Sequence, residues 1–279
     1  MNDLELSPKD FQRFRDLIHK QCGIHLHDGK MELVRARLSK RLRQTGHRNF
    51  SNYYDFLVKD DSGEELVLML NAISTNLTSF FRESKHFDFL VKNVFPTIEH
   101  QSGSSGSDVV HVWSAGCSTG EEPYSLAISF LEYFGSEAQR FVRIQATDIS
   151  TQVLSTATSG VYPVSRVENL PQAMLRKYFQ KGHGKMSGYV RLKAEIRKMI
   201  EFKRFNLMEP FPSRDRFNII FCRNVMIYFD KSFQENLVNK YYNSLKTGGY
   251  FFIGHSESLM KLNHRFKYVK PTVYLKTGF

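Results

Sequence analysis

A glycine- and hydroxyl-rich turn between a predicted strand and a predicted helix is the segment best suited to hold a ligand. The apolar run from Val109 to Trp113 predicts a buried strand, residues 114–120 are Ser-Ala-Gly-Cys-Ser-Thr-Gly, and a helix is predicted to begin at Glu121. Glycine lets the backbone approach a ligand closely, and this order of elements is typical of nucleotide-binding α/β units. A second predicted strand, 141–147, ends at Asp148. An acidic side chain at that position is placed to bind a ribose diol.

The residues of this turn also narrow the class of nucleotide. The turn lacks the G-x-G-x-x-G spacing of dinucleotide sites, and no Gly-Lys-Ser/Thr of an ATP-type phosphate loop follows it. Glu121 and Glu122 would repel a pyrophosphate but suit a ligand that carries hydroxyls and a cation. S-adenosylmethionine (SAM) is such a ligand, because it has a ribose, an amino group and a sulfonium but no phosphate. Thr119 and Glu122 also have the spacing of a capping box, a role that is compatible with ligand binding.

Two further polar clusters follow predicted strands. Arg223 and Asn224 come directly after the apolar strand 217–222, and Tyr228 lies four residues beyond Asn224. Ligands of open α/β sheets bind at the carboxyl ends of the strands. The structural alternative is a turn with one surface arginine and a core tyrosine. In the other cluster, Asn206 and Leu207 follow a strand that ends at residue 205, where they can approach the adenine of a ligand held at Asp148.

The predicted helix 31–44 combines an apolar stripe with a basic flank. Residues 30–43 contain six Lys or Arg and one acidic residue, Glu32. Arg37, Arg41 and Lys40 lie close together on this flank. The pattern leaves two interpretations open, a solvated basic face or a docking site for an acidic surface.

The elements around these residues predict an α/β protein with a helical N-terminal domain. Residues 1–74 predict a bundle of short helices that serves as a docking domain, residues 75–107 a linker, and residues 108–279 a doubly wound, mostly parallel seven-stranded sheet with an antiparallel edge. The linker contains a helix from about 85 to 99 and a flexible turn at 101–107. Gly248 and Gly249 are predicted to end the last long helix. A small antiparallel β insertion is predicted at about 181–200, with 195–200 as one of its strands.

Composition limits the classes of protein and partner. The chain has 279 residues, a net charge of +11 and three widely spaced cysteines. We therefore predict a cytoplasmic protein with reduced thiols and an acidic partner. No apolar run approaches the roughly 20 residues of a membrane span, and the N-terminus does not resemble a signal peptide. The ten histidines form no metal-binding motif, so we predict no metal.

Five ordered segments together resemble the CheR-type chemotaxis receptor methyltransferases. The resemblance covers nearly the whole chain, including the helical N-terminal domain and the β insertion. The segments are Thr75-Asn-Leu-Thr-Ser-Phe-Phe-Arg-Glu83, Trp113-Ser-Ala-Gly-Cys-Ser-Thr-Gly-Glu-Glu-Pro-Tyr-Ser125, Ala146-Thr-Asp-Ile149, Phe221-Cys-Arg-Asn-Val-Met-Ile-Tyr-Phe-Asp230 and Gly254-His-Ser-Glu257.

The resemblance implies a SAM-dependent protein-glutamate O-methyltransferase. Such an enzyme esterifies glutamates on the cytoplasmic helices of chemoreceptors and releases S-adenosylhomocysteine. It implies cofactor contacts from Asn76, Thr78, Arg82, Glu122, Asp148, Asn206, Leu207, Arg223 and Asn224. Arg82 and Tyr228 are implied near the reacting centre, and the basic flank with Arg37, Arg41 and Lys40 is implied to meet the receptor. In some members the β insertion docks a C-terminal receptor tether. We expect a monomer that does not insert into the membrane.

The chemistry of glutamate methylation is compatible with a site that has few acids and bases. A glutamate side chain with its ordinary pKa of about 4.3 is already ionised and nucleophilic at neutral pH. Two alternatives stay open. One is a nucleic-acid methyltransferase, suggested by the basic charge, although the Asn/Asp-Pro-Pro-Tyr/Phe turn common in amino methylation of bases is absent at Cys222-Arg-Asn-Val. The other is a regulator that binds SAM without catalysis.

Overall fold

The computed structural model describes residues 5–102, 109–211 and 214–278. The α-helices of these residues are α1 Pro8–Cys22, α2 Met31–Thr45, α3 Phe50–Lys59, α4 Glu64–Ile73, α5 Lys85–Phe89, α6 Phe95–Ser102, α7 Glu121–Phe134, α8 Ala138–Phe141, α9 Thr151–Ser159, α10 Gln172–Tyr178, α11 Ala194–Arg197 and α12 Lys231–Ser244. The strands are β1 Val110–Ala115, β2 Val142–Asp148, β3 Val161–Pro163, β4 Phe179–Lys181, β5 Tyr189–Leu192, β6 Ile200–Arg204, β7 Phe217–Cys222, β8 Leu245–Ile253, β9 Lys267–Lys270 and β10 Val273–Leu275. None of the helices in these ranges has the length and hydropathy of a membrane span.

Helices α1 to α4 form the predicted N-terminal bundle. The ends of α1 follow from local chemistry: the Ser7 hydroxyl accepts from the Asp10 N–H at 3.1 Å, Pro8 occupies the first turn, and Gly23 adopts a left-handed φ of 74°. Proline is favourable in the first turn because the N–H that it lacks would have no partner within the helix there. Glycine is favourable after the last turn because it adopts a left-handed φ without a steric clash. The bundle encloses its own apolar core, which includes Phe14, Leu38 and Met69.

Seven strands of the described chain form the main sheet, in the order β6-β2-β1-β7-β8-β10-β9. The neighbours from β6 to β8 are parallel, and β10 pairs antiparallel with β8 and β9. Alternate side chains of a strand point to opposite faces. Accordingly, Val112 and Phe221 belong to one apolar core, whereas Trp113 and Ile220 belong to the other. The predicted mostly parallel sheet, covered on both faces and with an antiparallel edge, is confirmed.

The small antiparallel sheet exists, but its strands differ from the prediction. It has three strands in the order β3-β5-β4, so it begins at Val161 rather than near residue 181. The predicted strand 195–200 is wrong, because residues 194–197 form α11 and Ile200 starts β6 of the main sheet. Short segments of three or four residues carry too little alternation to reveal their partners.

Two other local predictions need correction. Gly248 and Gly249 do not end α12, which stops at Ser244; they lie inside β8, where the Gly248 N–H and Gly249 C=O bond to Lys276 at 2.8 and 2.9 Å. The linker helix consists of α5, a π-helical turn at Leu90–Val94 and α6. Most of the predicted flexible turn at 101–107, and the boundary at 107/108, fall outside the described residues.

Candidate active site

A cavity of about 530 Å³ opens at the carboxyl ends of the parallel strands. Gly116 follows β1, Asp148 ends β2, Phe205 follows β6 and Arg223 follows β7, and all four line it. The opposite wall comes from the loop at residues 74–79 and from the segment between α1 and α2. This volume is within the range of sites for small molecules and cofactors.

Asp148 joins the turn after β1 to the end of β2. Its two oxygens accept from the N–H groups of Ser118 and Ser150, each at 2.9 Å, and the residue is 8% exposed. Burial raises the pKa of Asp148, and these backbone hydrogen bonds oppose that rise. A carboxylate oxygen has two lone pairs. Three backbone N–H groups, that of Ile149 included, oppose the rise in pKa, so the four lone pairs of the carboxylate leave acceptor capacity for a ligand hydroxyl.

The glycine turn is closed by backbone contacts and cannot accept larger residues. The N–H groups of Gly116 and Cys117 both donate to the Thr147 carbonyl, at 2.8 and 2.9 Å. Gly116 has a left-handed φ of 76°, and a Cβ there would lie 2.4 Å from Val225. Glycine is thus required both for the conformation and for the close approach of the two loops.

The two glutamates at the start of α7 point to different places, which corrects their joint assignment to the ligand. Glu122 lines the cavity and accepts from the Ser114 hydroxyl at 2.7 Å. Glu121 is fully buried away from the cavity, accepts from the Thr119 hydroxyl at 2.6 Å and lies 3.6 Å from Arg166. The predicted capping box is wrong, because the N-cap of α7 is Gly120 with a φ of 97° and no side-chain cap.

Arg223 is buried between two carboxylates on the cavity wall. Its guanidinium lies 3.2 Å from Glu83 and 3.5 Å from Glu122, and it packs on the rings of Phe87 and Phe221. Burial raises the pKa of Glu122, whereas the charge of Arg223 lowers it. The alternative of a surface arginine at this turn is therefore wrong. The next residue, Asn224, adopts a left-handed φ of 59°.

The segment before α5 supplies the facing wall. Arg82 donates to the Leu77 carbonyl at 2.7 Å, which folds the loop back on itself. The Ser118 hydroxyl donates to the Asn76 carbonyl at 2.9 Å, so this loop is also fixed to the glycine turn. Thr78 accepts, through its carbonyl, from Arg166, which lies between β3 and β4 of the small sheet, at 3.0 Å.

The N-terminal domain contacts the loops that carry predicted site residues. The Asn206 amide donates to the Gln21 carbonyl at 2.6 Å, and the His25 N–H donates to the Tyr228 carbonyl at 2.7 Å. The domain therefore forms part of the cavity wall.

Comparison with known proteins identifies the family. The chain matches the model "CheR methyltransferase, all-alpha domain" over residues 9–74 and "CheR methyltransferase, SAM binding domain" over residues 76–275. It is 40% identical to a chemotaxis protein methyltransferase of Borreliella burgdorferi, covering 98% of this chain and 96% of that protein. It is 40% identical to one of Salmonella typhimurium (97% and 91% covered) and 38% identical to one of Escherichia coli (97% and 92% covered).

The chain belongs to the CheR methyltransferase family. The predicted resemblance is thus confirmed, and with it SAM-dependent methyl transfer as the activity and SAM as the cofactor.

All ten residues predicted for cofactor contact or for the reacting centre line the one cavity. They are Asn76, Thr78, Arg82, Glu122, Asp148, Asn206, Leu207, Arg223, Asn224 and Tyr228. Their individual roles in this CheR protein stay predictions. Asn206 and Leu207 also make contacts within the protein. The Asn206 amide donates to the Gln21 carbonyl, and Leu207 packs into one apolar core of the sheet.

The predicted receptor-docking residues do not line the cavity, and two of them make internal contacts. Arg37 donates to the Ser74 carbonyl at 3.0 Å and to the Thr75 hydroxyl at 3.1 Å, beyond the end of α4. Arg41 forms a two-pronged pair with Glu65, at 3.0 and 2.6 Å, and this pairing raises the pKa of Arg41. Lys40 is exposed. The docking role stays a prediction, and Lys40 is the member whose charge faces solvent.

Sequence reasoning did not predict that the segment between α1 and α2 lines the cavity. Ile24, His25, Leu26, His27 and Lys30 all do so. The available signal was the density of His and Lys directly after Gly23, which resembles an ordinary loop in composition. A separate cluster of Glu83, His86 and His255 has potential ligand atoms within 4.8 Å of one another. Because Arg223 already neutralises Glu83, we assign no metal to it.

Proposed function

We propose that this protein methylates glutamate side chains on the cytoplasmic helices of chemoreceptors, giving glutamyl methyl esters and S-adenosylhomocysteine. The main support is that ten residues from five separate segments converge on one cavity beside the N-terminal domain. The relatives named above are chemotaxis protein methyltransferases, and the chain matches them over nearly their whole length. We expect the protein to act in the cytoplasm, where these receptor helices lie.

The residues of the cavity fit SAM in charge and shape. Asp148 has acceptor capacity left for a ribose hydroxyl, Glu122 supplies an acidic group, and Arg223 supplies a cation next to it. Gly116 adds no side chain to the cavity lining. When bound, SAM supplies an electrophilic methyl group.

The chain's own residues would mainly orient the acceptor and exclude water. The acceptor carboxylate needs no base, so its placement in line with the methyl group is the chief requirement. Arg82 and Tyr228 line the same cavity and can hold a carboxylate by charge-assisted hydrogen bonding. A grip that is too strong would stabilise the ground state and slow transfer. A single arginine aided by a tyrosine hydroxyl suits that balance.

Receptor recognition would use two surfaces outside the cavity. The basic flank of α2, with Arg37, Arg41 and Lys40, would meet the acidic receptor helices. The three-stranded sheet would dock a C-terminal receptor tether, since its outer strands β3 and β4 each pair on one side only within it. A tether can add a strand to such an edge. We propose a monomer as the active form.

The test is transfer of labelled methyl from SAM to receptor cytoplasmic fragments, with and without their C-terminal tails. Carboxyl methyl esters lose their label in mild alkali, so label that survives alkali would contradict esterification. Equal labelling of tailed and tailless fragments would contradict the tether. The alternatives have separate outcomes: steeply salt-dependent RNA binding with label in RNA supports a nucleic-acid enzyme, and SAM binding without label in any receptor supports a regulator.

A further inference from the structure

We infer that Glu257 is a positioning residue that holds the loop of Arg223 and Asn224 in its cofactor-binding shape. The inference rests on the cofactor roles proposed above for these two residues. Glu257 itself does not line the cavity. It belongs to the segment Gly254-His-Ser-Glu257, to which neither the site nor the docking surfaces assign a role.

The carboxylate of Glu257 accepts four backbone N–H groups. One oxygen accepts from Val225 at 3.0 Å and Met226 at 2.7 Å, and the other accepts from Asn224 at 2.9 Å and Gly254 at 2.6 Å. The residue is 9% exposed. Three consecutive N–H groups directed at one anion form a concave binding site of the kind that otherwise holds phosphate. Here the carboxylate of Glu257, from the loop that follows β8, fills this site.

These bonds determine where the cavity-lining side chains point. After β7 the chain turns sharply, and Asn224 takes a left-handed φ of 59°, which is uncommon for non-glycine residues although asparagine adopts it more often than most. The N–H groups of residues 224–226 face Glu257. The side chains of Asn224 and Val225, and that of Arg223 before them, line the cavity. Without the carboxylate, the three backbone donors of residues 224–226 would lose their acceptor, and the loop would relax.

The rest of the segment supports the same loop. A Cβ on Gly254 would lie 2.6 Å from the Asn224 amide nitrogen and 2.8 Å from its backbone nitrogen. The Ser256 hydroxyl lies 3.5 Å from the Asn224 amide. The His255 N–H donates to Glu83, the partner of Arg223, at 3.2 Å. All four residues of the segment therefore contact the loop of Arg223 and Asn224 or a partner of Arg223.

A carboxylate is required because four donors need four lone pairs. Glutamine has the same shape, but its amide nitrogen would direct N–H groups at two of the backbone donors. Glu257→Gln therefore keeps the volume and removes the acceptor on one side. Glu257→Asp keeps the carboxylate on a shorter side chain. If Glu257 positions the loop, this variant should therefore retain part of the cofactor affinity.

The experiment measures the affinity for S-adenosylhomocysteine by calorimetry and the KM for SAM with receptor fragments as acceptor. We expect Glu257→Gln to weaken affinity by about tenfold or more and to raise KM for SAM more than it lowers kcat, with Glu257→Asp between it and wild type. The control is Val142→Ala, a buried core change at the start of β2, the strand end opposite the cavity, which lowers stability and lies outside the cavity lining. It should bind with wild-type affinity below its melting temperature.

Wild-type affinity in folded Glu257→Gln would overturn the inference, as would a loss of affinity in Val142→Ala that matches it at equal stability. If Glu257→Gln fails to fold, Gly254→Ala decides, because its Cβ would push Asn224 and should weaken binding severalfold; unchanged affinity there would also overturn the inference. A wild-type protein that binds the cofactor product yet never labels receptors contradicts the proposed substrate and leaves the role of Glu257 to be judged by the binding data alone.

Discussion

Arg223 and Glu122 face each other at 3.5 Å on the wall of the cavity, and Glu83 lies 3.2 Å from the same guanidinium. The Arg223 side chain is almost fully buried, so water screens these charges little. Two largely buried carboxylates beside one cation depend on it, because a buried charge without a partner is costly.

Replacing Arg223 with alanine should therefore destabilise the protein by about 3–5 kcal/mol and abolish binding of S-adenosylhomocysteine. The measurement is urea unfolding together with calorimetry. In the double variant with Glu122→Gln, part of the lost stability should return, because one uncompensated carboxylate is gone. A cost under about 1 kcal/mol, the value of an exposed ion pair, would contradict the buried arrangement.

Asp148→Ala should weaken binding of S-adenosylhomocysteine by about 100-fold or more, because the ribose hydroxyls would lose their charged acceptor. Calorimetry on the folded variant measures this. Glu132→Gln is a suitable control, since this carboxylate also belongs to α7 and the methyltransferase domain but pairs with Lys177 outside the cavity. Unchanged affinity in Asp148→Ala would remove it from the ribose site.

The sequence predicted site residues where local order determines position. Asp148 and Arg223 directly follow apolar strands, so their place at the sheet edge follows from the strand assignments alone. The bond from Asn206 to Gln21 joins residues 185 apart, and no local pattern contains that information. Local patterns likewise could not predict that residues 24–30 form part of the cavity wall, because this depends on how the N-terminal bundle packs against the sheet.

Local signals also failed where a distant partner competes with them. Gly248 and Gly249 resemble a helix end, yet their backbone groups pair with Lys276, directly after strand β10. Thr119 and Glu122 have capping-box spacing, but Ser114 binds Glu122 and leaves Gly120 as the cap. In both cases a tertiary hydrogen bond outweighed a propensity worth about 1 kcal/mol.

Arg82→Ala should lower kcat by about 100-fold with a smaller loss of affinity for S-adenosylhomocysteine, because a misplaced acceptor costs rate more than cofactor binding. Methyl transfer to receptor fragments under cofactor saturation measures kcat. The exposed neighbour Lys85 offers the matched control, Lys85→Ala. A wild-type kcat for Arg82→Ala would exclude Arg82 from the reacting centre.

His86 should make the protein less stable in mild acid. Burial, aided by the charge of Arg223, lowers the pKa of His86 to about 3 from an ordinary value of 6.5. Between pH 6.5 and 3 the unfolded chain binds this proton and the folded chain does not. The stabilisation is therefore complete above pH 6.5 and is lost as the pH falls, by about 1.4 kcal/mol per pH unit well below 6.5.

Urea unfolding between pH 7 and pH 5 measures this dependence. The variant His86→Gln should be less stable at pH 7, because it replaces a buried ring, but its stability should fall less steeply toward pH 5. The exposed His100→Gln serves as control and should keep the wild-type slope. If the free energy of unfolding falls equally steeply with pH in wild type and His86→Gln, another group causes the loss of stability in acid.

Lys40 and Arg41 are neighbours on α2 whose substitutions should have different consequences. Arg41 pairs with the buried Glu65, so Arg41→Ala should cost about 3–5 kcal/mol of stability. Lys40 is exposed, so Lys40→Glu should leave stability and cofactor affinity unchanged. It should instead raise KM for the receptor about threefold to tenfold at low salt, because a reversed surface charge opposes an acidic partner.

Receptor methylation at two ionic strengths checks the docking role of Lys40. The added salt should narrow the difference between Lys40→Glu and wild type, since exposed charges are screened beyond about 10 Å at 0.1 M. Lys92→Glu, an exposed lysine on the π-helical turn of the other domain, controls for net charge. An equal rise in KM for Lys92→Glu would mean that overall charge, rather than the flank of α2, attracts the receptor.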